Sequence, residues 1–365
     1  MKIQTVKEKF LTALLMAERV VGKKESLPVL SCVLMDVNKE LYLRTTNLEA
    51  GFEATLPIEV EEKGVIAVPI TVLIQTIRAI GADTIHLSND EGNLLIESKG
   101  TKTLIKAIPS GEFPPLPSAS SKGGSVLERT ALLHCLQSVS YAASPSMIRP
   151  ELGSVFLSFT ENTLTCAATD SFRLAEKTIR GGGTHASGEL LIPLKHTLEL
   201  THILERIGGD QITFFTDDSQ LSISSTGVRY VSRVVDASFP NYHDIVPKKF
   251  TTEATVLKND FAEILRKARV FSGADMHISF HVYPKKKVFS ALARSAEVGE
   301  MSDSIDAALS GEDLDINFHI GYLSDCLASI ESDSLTLGFS GPGKPLVIRG
   351  VSDQSFMYLV MPLNR

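Results

Sequence analysis

A threefold internal repeat is the feature of this sequence that most restricts its fold. Residues 68–98, 192–225 and 318–350 each combine the pattern of an amphipathic helix with two alternating strands. Aligning Pro69, Pro193 and Ile320 gives steps of 124 and 127 residues. This period is too long for a solenoid or propeller unit, so each copy is expected to be a domain.

Further features recur in the same order within each copy. Earlier helix patterns cover residues 6–21, 130–144 and 259–272, each followed by hydrophobic strand patterns. Stretches rich in Pro, Ser and Gly, or in charge, separate the copies at 114–124 and 246–252. We therefore predict three α+β domains, each with two helices and antiparallel sheets, over residues 1–118, 127–246 and 247–365.

The composition is that of a soluble globular chain without disulfide bonds. The 365 residues are 43% hydrophobic, which suffices for several cores, and no apolar run reaches the ~18 residues of a membrane span. The N-terminus lacks the apolar segment of a signal peptide. Cys32, Cys135, Cys166 and Cys326 are scattered singly. We expect a cytoplasmic protein, with no membrane partner and with thiols packed as small apolar side chains.

Recognised catalytic motifs are missing from the sequence. The Gly341–Lys344 stretch resembles a phosphate loop, but Pro345 and a strand pattern follow it, which favours a hairpin turn. His277 and His281 lie on one face of an alternating strand and could share a metal. Without a third ligand at suitable spacing, solvated histidines are the favoured interpretation. We therefore expect no cofactor and no metal.

Local charge differs from net charge. The chain has 36 Lys and Arg against 43 Asp and Glu, a net charge of −7, which argues against a surface that is basic throughout. Cations nonetheless collect on and after the predicted helices, at Lys7, Lys9, Arg19, Lys23, Lys24, Arg78, Lys195, Arg206, Lys258, Arg266, Lys267 and Arg269. For any one of them, a solvated helix face and a phosphate contact both remain open.

Six motifs on this repeat carry a family resemblance. They are SLPVLSCVLM from Ser26, TTNLEAG from Thr45, EFPPLP from Glu112, AATDSFRLA from Ala167, FPNYHDIVPK from Phe239 and YLVMPLNR from Tyr358. Over essentially its whole length the chain resembles the beta subunits of bacterial DNA polymerase III, the sliding clamps. The resemblance implies a non-enzymatic processivity factor whose head-to-tail homodimer forms a six-domain ring around duplex DNA, independent of sequence.

The resemblance also implies a DNA-binding surface on the helices inside the ring. Lys24 occupies the position at which the family has a DNA-contacting arginine. The expected DNA-binding residues are Lys24, Lys23, Arg19, Arg78, Lys195, Arg206, Arg266 and Lys267. Contacts of this kind hold phosphates without reading bases.

A second implied site is a hydrophobic cleft for short peptides of the DNA polymerase III alpha subunit, the clamp loader delta subunit and other clamp-binding-motif proteins. Its expected wall is Leu152, Thr169, Phe172, Arg173, Leu174, Pro240, Ile245, Val360, Met361, Pro362 and Leu363. For Leu152, Leu174, Ile245 and Val360 the alternative is a place in their own domain cores. Phe172 and Ser171 replace the His and Gly of many members, which predicts a more apolar subsite.

The ring contact is expected to join the first domain of one chain to the third of another. By position, Thr103 and Ile105 would face this interface from one side, with Val270 and Phe271 on the other.

A different class of function also stays open, an enzyme of unfamiliar type. Its nearest polar cluster would be Asp170, Arg173 and His243. Asp170 and Arg173 are expected instead to orient a turn and to border the cleft.

Overall fold

Alternation of apolar and polar side chains produces strands through most of the chain. The computed structural model describes residues 1–22, 27–117, 124–160, 162–180, 188–217 and 219–363. The elements of the first third are β1 (Lys2–Val6), α1 (Lys7–Ala17), β2 (Cys32–Val37), β3 (Leu41–Thr46), β4 (Ala50–Leu56), β5 (Glu59–Glu62), β6 (Gly64–Pro69), α2 (Ile70–Ala79), β7 (Thr84–Asp90), β8 (Asn93–Ser98) and β9 (Thr101–Ile105).

The same order of elements returns twice more, except that the described part of the middle third has four strands between its helices where the other two thirds have five. The middle third contains β10 (Ser125–Glu128), α3 (Arg129–Val139), β11 (Ser154–Thr160), β12 (Thr163–Thr169), β13 (Arg173–Arg180), β14 (Gly188–Pro193), α4 (Leu194–Leu204), β15 (Gln211–Thr216), β16 (Gln220–Ser225) and β17 (Val228–Arg233). The last third contains β18 (Thr252–Leu257), α5 (Lys258–Val270), β19 (His277–Tyr283), β20 (Val288–Ser295), β21 (Gly299–Ser304), β22 (Ala307–Gly311), β23 (Leu314–His319), α6 (Ile320–Asp325), β24 (Ser334–Phe339), β25 (Leu346–Gly350) and β26 (Phe356–Val360).

The helices bury faces with the spacing that the sequence pattern predicts. In α1, Phe10, Ala13, Leu14 and Ala17 are buried, at positions i, i+3, i+4 and i+7. The same spacing recurs in α2 and α5, where the buried residues are Ile70, Leu73, Ile74 and Ile77, and Phe261, Ile264, Leu265 and Ala268. Each repeat thus contributes two helices and antiparallel strands. The predicted α+β class is confirmed.

The described chain forms two compact units. Unit one contains Met1–Leu133 and Lys195–Asp236. Its strands make a five-stranded sheet of order β5-β1-β7-β8-β9 and an eight-stranded sheet of order β10-β15-β16-β17-β4-β3-β2-β6. In the larger sheet β17 pairs antiparallel with β4, which places Tyr230 opposite Phe52. One continuous sheet therefore includes strands of the first and the middle repeat.

Unit two contains His134–Gly182, Ser187–Leu194 and Ala237–Arg365, within the described ranges. Its sheets have the orders β14-β11-β12-β13-β26-β25-β24-β18-β22 and β21-β20-β19-β23. The antiparallel pair β13–β26 joins the middle and last repeats, with Leu174 opposite Leu359. The four cysteines are free and buried. Within the described ranges, no helix is both long and apolar enough to cross a membrane.

A buried ion pair lies beside the β13–β26 pairing. The Lys177 side chain is almost fully buried, and its Nζ lies 3.7 Å from Asp353 Oδ2. Asp353 also accepts hydrogen bonds from Ser355 Oγ at 2.5 Å and from the Glu331 amide at 3.2 Å. Burial alone would raise the pKa of Asp353, but these hydrogen bonds and the Lys177 charge lower it overall.

We predict that Lys177→Met strongly destabilises unit two, because it leaves the Asp353 carboxylate buried without a counter-ion. The expected loss in the free energy of unfolding is about 3–5 kcal/mol, measured by urea titration with circular dichroism. Lys177→Met combined with Asp353→Asn should recover most of it. Lys2→Met, which removes the cation of an exposed pair with Glu61, is the control and should leave the curve unchanged. Equal midpoints for Lys177→Met and wild type would contradict the prediction.

Candidate functional site

One face of the nine-stranded sheet in unit two carries an apolar cluster that is only partly covered. Its buried members are Ala167, Leu174, Tyr242, Val347, Met357 and Leu359. They share a face because Leu174, Leu359 and Val347 lie opposite one another on three adjacent strands. Phe156, Phe239, Val246, Phe250 and Met361 pack against this cluster and are only partly buried. We call these residues together the sheet-face cluster.

Large apolar side chains beside the sheet-face cluster remain in solvent. Phe172 is 60% exposed and Ile245 is 57% exposed, while Met361, Pro362 and Leu363 are half-buried. The terminal segment is held by its backbone: the Met361 amide donates to Phe172 O at 2.7 Å and the Leu363 amide to Asn317 O at 2.9 Å. An apolar surface that stays exposed on a rigid support is typical of an interaction site.

A tight turn between β12 and β13 pushes Phe172 outward. Asp170 Oδ1 accepts hydrogen bonds from the amides of Phe172 and Arg173, at 2.9 and 3.0 Å. Thr169 Oγ1 donates to Arg173 O at 2.6 Å. Ser171 has a φ of 79°, in the left-handed region that favours glycine. The turn therefore imposes strain on Ser171 and holds the Phe172 ring at the edge of the cluster.

Arg173 is fixed on the opposite face of the same sheet. Its Nε lies 2.9 Å from Asp170 Oδ2, and its Nη1 pairs with Asp325. The guanidinium carbon lies 4.5 Å from the centre of the Tyr322 ring, a cation–π contact. The planar guanidinium thus links the β12–β13 turn to α6, a role that lysine would not reproduce.

His243 lies in a separate place from Asp170 and Arg173. Its ring packs on Tyr242, with ring centres 4.2 Å apart. It borders a pocket of about 370 Å³ beside Glu176, whose Oε2 accepts a hydrogen bond from the Tyr242 hydroxyl at 2.5 Å. Asp170 and Arg173 pair with each other and with Asp325 instead. The three residues of the enzyme hypothesis therefore do not form one cluster.

An open sheet edge occurs in unit one. β9 ends the five-stranded sheet, and Leu104 on it is 52% exposed. Thr103 borders a cavity of about 550 Å³ between β9 and the end of α2, whose wall includes Ser98. Ser98 Oγ is buried there without a hydrogen-bond partner. An unpaired strand edge beside an empty cavity is suited to contact with another chain.

The helix cations differ in how far they are neutralised. Arg19, Arg78 and Arg266 are exposed on or just after their helices. Three other expected DNA-binding residues have acidic partners. These are Lys195 with Glu199 at 3.8 Å, Arg206 with Glu205 at 3.1 Å, and Lys267 with Glu263 and Asp303 at 2.8 and 3.1 Å. Hydrogen bonds from Lys267 to these two carboxylates raise its pKa. Lys23 and Lys24 lie outside the described residues.

Three family models match successive parts of the chain. They describe the N-terminal, central and C-terminal domains of the DNA polymerase III beta subunit, and they match residues 1–117, 126–241 and 243–364. The chain belongs to this family. It is a beta sliding clamp, a processivity subunit without catalytic activity. The enzyme hypothesis is therefore excluded, in agreement with the separation of His243 from Arg173.

The relatives match this chain over nearly its whole length. Beta sliding clamps of Staphylococcus aureus (23% identical, 100% of this chain and 99% of the relative) and of Streptococcus pneumoniae (25%, 98% of each) are similar in sequence. The Thermotoga maritima beta subunit has 26% identity and a TM-score of 0.95, covering 100% of this chain and 99% of its own. A Pseudomonas aeruginosa clamp bound to griselimycin has 22% identity and a TM-score of 0.93, with full coverage of both chains.

Two expected site residues of this beta subunit face its interior. Val360 is fully buried, and strand alternation places it on the face of Arg173, away from Leu359 and Met361. Ile105 is 4% exposed and lies opposite buried Leu94. These two expectations are corrected: one position earlier in each case, Leu359 is also buried but lies within the sheet-face cluster, and Leu104 is 52% exposed.

The other residues expected in the cleft occupy different depths. Leu174 is buried within the sheet-face cluster, and Pro240 lies on the segment that crosses it. Thr169 is buried in the β12–β13 turn. Leu152 is buried in the loop before β11, where its carbonyl accepts from the Ser144 amide at 2.8 Å. Tyr242, Phe239 and Val347 were not expected from sequence, because their part in the cluster depends on strand order.

Proposed function

We propose that two copies of this clamp close into a ring around duplex DNA, and that the sheet-face cluster with its rim tethers replication proteins to that ring. The occupants would be short peptides of the DNA polymerase III alpha subunit, the clamp loader delta subunit and other proteins with a clamp-binding motif. The observation that carries the tethering role is the exposed apolar rim, Phe172 and Ile245, beside a partly covered cluster that includes half-buried Met361. We further propose domain boundaries at 1–118, 127–246 and 247–365, and a cytoplasmic location, which four free thiols favour.

The proposed cleft consists of Leu152, Thr169, Phe172, Leu174, Pro240, Ile245, Leu359, Met361, Pro362 and Leu363, with Arg173 holding the β12–β13 turn from the other face of the sheet. Leucine and phenylalanine side chains of a peptide would cover the apolar surface that the chain leaves open. Met361 can adapt to anchors of different shape because its side chain is unbranched and polarizable. Arg173 would hold the β12–β13 turn in place rather than offer a free charge to the peptide, because two carboxylates already pair with its guanidinium.

We predict that Met361→Ala weakens binding of a fluorescein-labelled peptide with Leu and Phe anchors. A central anchor contributes about 2 kcal/mol or more to affinity, so the dissociation constant should rise at least tenfold. Fluorescence anisotropy measures this change. The control is Val351→Ala, which truncates an exposed apolar residue of unit two outside the cluster and should bind as wild type. Equal affinities of Met361→Ala and wild type would remove the cleft assignment.

The proposed DNA surface relies chiefly on Arg19, Arg78 and Arg266, which are exposed. Lys195, Arg206 and Lys267 would contribute less, because each must leave an acidic partner before it can approach a phosphate. Lys23 and Lys24 are proposed on resemblance alone. Contacts to the backbone through mobile, hydrated side chains would let a closed ring slide without reading sequence.

We predict that Arg19→Gln with Arg78→Gln reduces the salt dependence of loading onto nicked circular DNA by a clamp loader. Each lost phosphate contact lowers the slope of log binding against log salt by about 0.9. Lys267→Gln is the comparison variant and should lower the slope by less, because Glu263 and Asp303 already pair with this cation. Linearising the DNA should release every variant. Retention on linear DNA, or an unchanged slope in the double variant, would contradict the proposal.

The proposed ring contact places Phe271 of one chain in the cavity beside Thr103 of the other. Phe271 is half-buried at the end of α5, and its neighbour Val270 is 63% exposed. The cavity of about 550 Å³ can accept an aromatic ring where Thr103 leaves space. Leu104 on the open edge of β9 would extend the same interface.

We predict that Phe271→Ala shifts the protein from dimer to monomer. A buried aromatic anchor contributes about 2–4 kcal/mol at an interface, and a closed ring of two chains contains this contact twice. Native mass spectrometry at submicromolar concentration measures the fraction of each species. Leu257→Ala, an exposed residue at the other end of α5, serves as the control and should remain dimeric. A monomeric wild-type protein would contradict the proposal of a closed ring of two chains.

A further inference from the structure

A buried polar network lies where β4 and β17 pair in unit one. Glu199 on α4 is almost completely buried. Its Oε2 accepts a hydrogen bond from the Tyr230 hydroxyl of β17 at 3.0 Å, and its Oε1 accepts from Asn47 Nδ2 at 3.4 Å. Asn47 belongs to the turn that leads into β4, where its own Oδ1 accepts from the Ala50 amide at 2.7 Å. One carboxyl group therefore contacts both sides of the joint between the repeats.

His196 makes a second link three residues earlier on α4. It is also buried, and its Nδ1 lies 2.8 Å from Ser232 Oγ on β17. Its Nε2 lies 3.7 Å from Glu49, just before β4. The Tyr230 hydroxyl lies within 3.2 Å of His196 O as well. Glu199 and His196 thus form one network across the joint.

The ionisable groups around Glu199 do not neutralise it fully. Burial raises the pKa of Glu199 to about 7, while Lys195, at 3.8 Å, and the Tyr230 hydrogen bond lower it in part and Glu49 raises it. Burial and the Lys195 charge lower the pKa of His196, against the opposing effect of Glu49. Burial and the Glu199 carboxylate raise the pKa of Tyr230, so its hydroxyl keeps its proton. The closed network therefore favours neutral Glu199 and neutral His196.

We propose that Glu199 is a proton-controlled latch on this joint: β4 and β17 hold together most firmly when its carboxyl is neutral, and they separate more readily when it is ionised. An opened joint would hydrate Glu199 and return its pKa towards the ordinary 4.5. The closed joint keeps a proton that the open joint releases, so closure weakens as pH rises from about 4.5 to about 7 and then stays constant. His196 acts in the opposite direction, only as pH falls below 6.5.

Hydrogen exchange of the full-length protein tests the latch, with amides of β4 and β17 followed between pH 6 and 8 and corrected for intrinsic rates. Wild-type protection should fall several-fold over this range, because one unit of effective shift at Glu199 alone gives about tenfold and His196 opposes part of that change below pH 6.5. Glu199→Gln, a neutral isostere, should show no fall. Glu205→Gln removes an exposed carboxylate directly after α4 and should keep the wild-type response. Constant wild-type protection, or an unchanged fall in Glu199→Gln, would overturn the proposal.

A second variant keeps the test independent of how well Glu199→Gln folds. Lys195 is exposed, and its charge lowers the pKa of Glu199, so Lys195→Gln should move the midpoint of the exchange profile to higher pH. The infrared band of a protonated carboxyl should disappear over the same pH range as protection. A midpoint that Lys195→Gln leaves in place would assign the titration to another group and would reject the latch.

Discussion

Antiparallel backbone pairing between repeats is the constraint on which the rest of the structure depends. In unit one β17 pairs with β4, and in unit two β13 pairs with β26. Each pairing satisfies edge amides and carbonyls that an isolated repeat would leave exposed. It also fixes register, because a slip of one residue would turn every side chain to the other face of the sheet.

The proposed peptide cleft follows directly from that register. Leu174 lies opposite Leu359, so the sheet-face cluster continues across the pairing without a break. Arg173 lies opposite Val360, and both therefore face away from the cluster. Exposed Phe172 and half-buried Met361 are both held by backbone hydrogen bonds, and the Met361 side chain also packs against the cluster. Apolar side chains can stay in solvent there because the backbone beneath them is ordered by other contacts.

Both joints between repeats contain buried ionisable groups, and the two sets behave differently. Lys177 and Asp353 form an ion pair, so each charge has a counter-charge at 3.7 Å. Glu199 has hydrogen-bond donors and only an exposed lysine as counter-charge, so burial dominates and raises its pKa to about 7. The lowered pKa of Asp353 therefore keeps the carboxylate of the unit-two joint ionised near neutral pH, whereas protonation of Glu199 can change the joint in unit one.

The sequence by itself determined the threefold repeat, the α+β class, the helix faces and the clamp family, because periodicity and local motifs are properties of the chain. The sequence also supplied candidates for the cleft and for the DNA-binding cations. The tertiary structure alone decided that Val360 and Ile105 turn inward, since the face of a strand residue depends on its pairing partners. It alone brought Asn47 and Tyr230 to Glu199, because residues far apart in the chain meet only through strand order.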